Sequence, residues 1–187
     1  LDVELFPGSW MYGGTRRDDE AAHKAAGHER KGIETLLKKL PSCVLSVPLM
    51  TLVDYRGCRL SAQSLLPLKE LLYGSADGAK TIRVSEGERY VLSLIEKLGS
   101  DLGLARHRVT ETSTGTVKTI CFPVDIEIHR SAANSRVAYI IDTARLMPPQ
   151  RPTSAHKREI FYKLFRPEVG ACYGTPLSAD AFSAFGM

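Results

Sequence analysis

The sequence predicts an α+β domain: an antiparallel or mixed sheet built from hairpins and flanked by four to five helices. Three observations carry that expectation. Several short runs alternate apolar and polar residues between turn signals, the period-two mark of strands. Other stretches place apolar residues at three- and four-residue steps, as amphipathic helices do. Strand and helix patterns do not alternate regularly, so parallel βαβ units are not the organising element.

The chain's 187 residues, 43% of them hydrophobic, suffice for one compact domain with a sizeable core. A quarter of the residues are charged, with both signs interspersed, which excludes a disordered composition. The net charge of +4 is mildly basic, and Lys and Arg form no long runs. Contact with RNA is therefore permitted without being argued for. Charges or prolines interrupt every apolar run before the roughly 18 to 20 residues of a membrane span, so no membrane insertion is expected. The first five residues lack the features of a signal peptide. A cytoplasmic location is the default. The two ends read as those of a piece excised from a longer protein, with 1–187 forming a single domain. Cys43, Cys58, Cys121 and Cys172 show no C-x-x-C spacing, so they are expected to be free, mostly buried thiols, with no metal and no cofactor implied.

In chain order, residues 6–14, with Trp10 and Tyr12, read as an ordered loop. Residues 17–40 carry a helical pattern whose first half is Ala-rich and whose second half offers Ile33, Leu36 and Leu37 to a core; Pro41 ends it. Two extended runs around Arg56-Gly57 make a hairpin, expected to lie centrally in the sheet because both faces are apolar. Leu71-Leu72-Tyr73 and Thr81–Val84 read as further strands across the turn 74–78. Ser85-Glu-Gly-Glu88 reads as a capping box for a helix that Gly99 stops. A hairpin tip at 110–116 follows, then a helix from Ser154, a short one begun by Pro167 and another at 178–182.

The most informative stretch is 122–149. Val124, Ile126 and Ile128 alternate with Asp125, Glu127 and His129, and a second apolar run ends in Asp142, with Arg145 beyond. If the two strands pair, Asp125, Glu127, His129, Asp142 and Arg145 share one polar surface. Three readings stand. Carboxylates and an imidazole at alternate positions of a strand can hold a divalent metal. An acid, then Asn134, then a strand ending in Asp142 resembles the order of a phosphotransferase, with nucleotide and Mg²⁺ as ligands, although no Gly-rich phosphate loop accompanies it. The acids can instead be satisfied by Arg130, Arg136, Arg145 or backbone amides as scaffolding. Arg151, Lys157 and Arg158 are candidate RNA-phosphate contacts, against the plainer reading of a solvated helix face.

Several blocks resemble the clustered-mitochondria (Clu) domain family in order. They are Gly27-His-Glu-Arg-Lys-Gly32, the hairpin Pro48–Pro67, Leu72-Tyr-Gly-Ser-Ala-Asp-Gly78, Asp125-Ile-Glu-Ile-His129, Tyr139-Ile-Ile-Asp-Thr-Ala-Arg-Leu-Met-Pro-Pro149, Phe165-Arg-Pro-Glu168 and Pro176-Leu-Ser-Ala-Asp-Ala-Phe-Ser183. The resemblance runs from about Gly27 to the end. It implies a non-catalytic interaction domain of a large cytosolic protein, linked to mitochondrial distribution. The partners it implies are proteins, mRNA or ribosome-associated factors, and flanking domains of the same chain. It transfers no catalytic residue.

Overall fold

In the computed structural model, residues 19–40, 44–153 and 157–183 are described. A five-stranded mixed sheet forms the centre. Its strands are β1 (Leu45–Ser46), β4 (Leu68–Gly74), β5 (Arg83–Val84), β8 (Glu127–Ser131) and β9 (Ala138–Ile141), in the order β1-β9-β8-β4-β5. Only β1 and β9 run parallel. Two hairpins stand outside it as separate two-stranded sheets: β2 (Met50–Tyr55) with β3 (Cys58–Gln63), and β6 (His107–Thr110) with β7 (Val117–Ile120). The α-helices are α1 (Asp19–Leu37), α2 (Arg89–Asp101) and α3 (Pro167–Cys172), joined by 3-10 turns at Thr143–Arg145 and Lys157–Phe161.

The α+β class and the mixed, hairpin-built sheet agree with the sequence; the helix count does not. Three α-helices are described instead of four to five. Around Ile160 and Phe161 only a five-residue 3-10 turn forms, and Ser154 lies outside the described residues. At 179–182 the chain makes turns and no helix, because Asp180 is drawn into the core.

The hairpin at Arg56-Gly57 forms as read, both turn residues having positive φ (48° and 80°), the geometry of tight primed turns. It is not central, however. Pro48 cannot donate to a ladder and falls in the break after β1, so β2 leaves the main sheet. Leu49, Val53, Tyr55, Leu60 and Leu65 are exposed as a result. Cys58 and Cys172 are exposed free thiols as well, and only Cys121 is buried among the described residues, so the expectation of mostly buried cysteines is overturned.

The capping box does not form. Helix α2 begins at Arg89 with Glu88 as its cap and no side-chain cap bond. Ser85 Oγ instead accepts from Arg83 Nε at 3.1 Å, and Glu88 pairs with Arg130. The helix also runs past Gly99. Its left-handed stop is Gly103 (φ 69°), where Gly103 N–H donates to Ser100 and Leu104 N–H to Gly99, the paired bonds of a Schellman end.

The core joins Leu36, Val109, Phe122, Val124, Ile126, Ile128 and Ile140, each fully buried. Complete burial of a Val or Ile side chain stabilises a fold by about 1.5–3 kcal/mol. The apolar half of the 124–129 alternation is therefore what anchors β8, and with it the polar half.

Candidate functional site

Strands β8 and β9 pair antiparallel, Glu127 opposite Ile141 and His129 opposite Tyr139. The strand starts later than its alternation suggests. Pro123 turns the chain, and Val124 N–H donates to the Asp180 carboxylate (3.0 Å) in place of a strand neighbour. Asp125 consequently sits in the turn before β8, while Glu127 and His129 share a face of the strand itself.

An inner network centres on Arg145, 1% exposed in the 3-10 turn after β9. Its Nη1 donates to Asp125, its Nη2 lies 3.8 Å from Asp180 Oδ1, and its guanidinium stacks 5.1 Å from the Phe161 ring centre. Asp180, itself fully buried, bonds His107 Nε2 at 2.7 Å through its other oxygen. Burial alone would lower the His107 pKa, but the Asp180 bond and the Ala105 carbonyl outweigh it and the pKa rises. Burial pushes the Asp125 carboxyl up, with Arg145 pulling the other way. Arg145 Nε and Nη2 and Asp180 Oδ1 find no hydrogen-bond partner among the described residues.

An outer group lies toward α1. His129 Nε2 and Glu127 bond each other at 2.7 Å. Glu29 of α1 reaches Thr143: Thr143 N–H donates to its carboxylate at 3.0 Å, and the Thr143 hydroxyl lies 2.9 Å from its backbone carbonyl. Gly32 makes this approach possible, because a Cβ there would stand 2.5 Å from the Thr143 carbonyl oxygen. Asp142 ends β9 in a left-handed conformation (φ 57°). Burial first, then Glu127, Glu29 and Asp125, push its carboxyl up to about 7. The structure thus brings the five predicted residues near one another in two subsets, Asp125 bonded to Arg145 and Glu127 bonded to His129 with Asp142 close by.

Sequence reasoning missed His107, Asp180, Glu29 and Thr143 as members of this centre. Asp180 lies 73 positions from His107, and no local periodicity links residues so far apart. Arg130, weighed as a partner for the acids, pairs with Glu70 and Glu88 instead. The loop after β8 is closed by its own bonds, Ser131 Oγ accepting from Ala133 and Asn134 N–H at 3.2 Å. Of the three candidate RNA contacts, Arg151 is exposed in a segment without regular secondary structure; Lys157 and Arg158 sit in the 3-10 turn, their side chains outside the described residues.

Two clefts flank α1. One, of about 360 Å³, collects His23, Lys24, His28 and Lys31 from the helix with Arg59 of β3 and Arg166 ahead of α3, over an apolar floor that includes Leu146, Met147 and Phe165. The other, of about 280 Å³, is lined by Ala22, Ala25, Ala26, Glu29 and Asp142, with Met50 and Gln63 of the hairpin. Among the described residues no group of three or more His, Cys, Asp or Glu side chains is arranged to hold a metal ion, and no helix is long and apolar enough to cross a membrane.

Fold and site together define an α+β domain whose polar centre is cross-bonded beneath two open clefts. Its residues 9–151 match the family model described as "Clustered mitochondria". The clustered mitochondria protein homologs of zebrafish (Danio rerio) and human (Homo sapiens) are each 34% identical to it over 142 residues. That of Caenorhabditis briggsae is 30% identical over 138 residues. Each alignment covers 70% of this chain but only 9%, 10% and 11% of the respective relative, so the chain spans about a tenth of their length. No solved structure matches. The chain belongs to the clustered mitochondria family. The matched span starts earlier than the resembling blocks do and stops before the two at Phe165 and Pro176.

Proposed function

We propose that this chain is a non-catalytic interaction domain of a cytoplasmic clustered mitochondria protein, serving in mitochondrial distribution and in assemblies that contain mRNA or translation factors. Its partners would be proteins, RNA and flanking domains of the same polypeptide. The relatives' names support the mitochondrial part. One observation carries the non-catalytic part: ionisable groups of the polar centre bond one another, Asp125 to Arg145, Glu127 to His129 and Asp180 to His107. Groups used in that way hold loops in place and have little freedom to serve a substrate. The RNA part is tested by anisotropy titration of the purified chain with a labelled mRNA segment at about 50 and 200 mM salt. A steep fall in affinity is expected; absent or salt-independent binding moves the RNA contact elsewhere.

Asp142 favours a second reading, as a nucleotide- and Mg²⁺-binding domain of phosphotransferase type. It lines a cleft at the end of a strand, and its carboxyl sits near 7. Mg-ATP that raises the melting temperature of the wild type but not of Asp142→Asn would establish this reading. No shift in the wild type removes it.

A further inference from the structure

We propose that the cationic cleft beside α1 binds a small organic phosphate, a phosphomonoester carried on a flat heteroaromatic group, and does so without a metal ion. Six basic or imidazole side chains line the cleft, and no acid is among its described lining residues. They come from three separate elements, so helical periodicity alone does not explain the concentration. Two cations are held in place: Lys24 Nζ sits 5.1 Å from the centre of the Tyr162 ring, and Arg59 forms a two-pronged bond to Asp54 at 2.6 and 2.7 Å. His28 is fixed by donating from Nε2 to the Tyr162 carbonyl at 2.8 Å.

The His28 pKa is lowered chiefly by burial, with Lys31 and Lys24 adding to the effect, which reports positive charge gathered around one imidazole. Like charges brought together in this way repel, and an anion relieves them. The roles divide naturally. Lys31 on α1 and Arg166 across the cleft supply charge for a phosphate, while the half-buried Phe165, backed by the buried Leu146 and Met147, offers a surface for a ring. Gly27 leaves the space between the helix side chains open, since a Cβ there would meet nothing within 4 Å. A volume of about 360 Å³ lies within the range of small-ligand sites. The acidic cleft on the other flank of the helix repels the same ligand.

The test is calorimetric titration of the 187-residue chain in EDTA with AMP, adenosine and inorganic phosphate. AMP should bind with at least tenfold higher affinity than either fragment. Lys31→Glu and Arg166→Glu should each weaken AMP tenfold or more with an unchanged circular-dichroism spectrum, and Lys31→Arg should retain it. Should a charge reversal fail to fold, Lys31→Gln replaces it with the same expected direction. Asp142→Asn should bind AMP as the wild type does, which separates this site from the Mg²⁺ reading. AMP that does no better than sodium chloride of equal ionic strength overturns the proposal. So does unchanged affinity in both charge-reversed variants, or loss of metal-free binding in Asp142→Asn.

Discussion

Helix α1 divides two clefts that share Ala144 and little else. On one flank, cations stand over an apolar floor; on the other, Glu29 and Asp142 face a wall of alanines. The partition follows from the helix itself. Lys24, His28 and Lys31 fall on one stripe with His23 at the edge of the cleft, and Ala22, Ala25, Ala26 and Glu29 fall on the next. The two flanks differ in how their charges are compensated. Glu29 bonds Thr143, and desolvation with neighbouring acids pushes the Asp142 carboxyl up to about 7, whereas Lys24 lies against a ring, His28 bonds a backbone carbonyl and Arg59 pairs with a carboxylate at the rim. The acids on one flank are tied into the fold, and the basic groups on the other line a cleft.

The strongest way to break the comparison is to remove the cation beneath both clefts. Arg145→Met leaves Asp125 buried without its counter-charge and Asp180 with His107 alone, and loss of one partner of such a network costs about 3–5 kcal/mol. Urea denaturation should show it as a lower midpoint with an unchanged slope. Gly32→Ala forces α1 away from Thr143; crowding of that kind costs about 1–3 kcal/mol, and the melting temperature should fall accordingly.

Asp142→Asn should act in the opposite direction. The raised carboxyl binds a proton in the folded state between about pH 4 and 7 that the unfolded chain does not hold, so the wild type gains stability as pH falls from 8 to 5. A rise from 3.8 to about 7 corresponds to roughly 4 kcal/mol at most. Because the carboxylate is partly open to water, about 2 kcal/mol is expected at pH 8, most of it gone by pH 5. Denaturation midpoints of both proteins at the two pH values check the sign; in the variant, Asp125, Glu29 and His107, also raised, add slope of the same sign, and His28, lowered by burial, opposes it. Smallest of all, Lys31→Ala should change stability by under about 0.5 kcal/mol, because its electrostatic effects on Glu34 and His28 oppose each other.

What the sequence made legible was local. The alternation from Val124 to His129 identified both the anchored and the polar face of β8, and Arg56-Gly57 marked the turn between β2 and β3, because period and turn chemistry are written in adjacent residues. The pairing of Asp125 with Arg145 was also within reach, since one short loop joins the two strands. The inner half of the centre was not. His107 and Asp180 meet through a bond between distant segments, and the second apolar face of β2 was misread as a sign of burial. Ser85-Glu-Gly-Glu88 has the spacing of a cap, yet tertiary pairing of Glu88 with Arg130 overrides it. The cationic cleft was legible only in fragments, for its walls come from α1, β3 and the segment before α3.

The β2–β3 ribbon carries a practical consequence. Two strands with open edges and outward-facing leucines are adhesive. Concentrated preparations of this domain alone should oligomerise through that ribbon, and a lysine placed at Leu60 should keep them monodisperse.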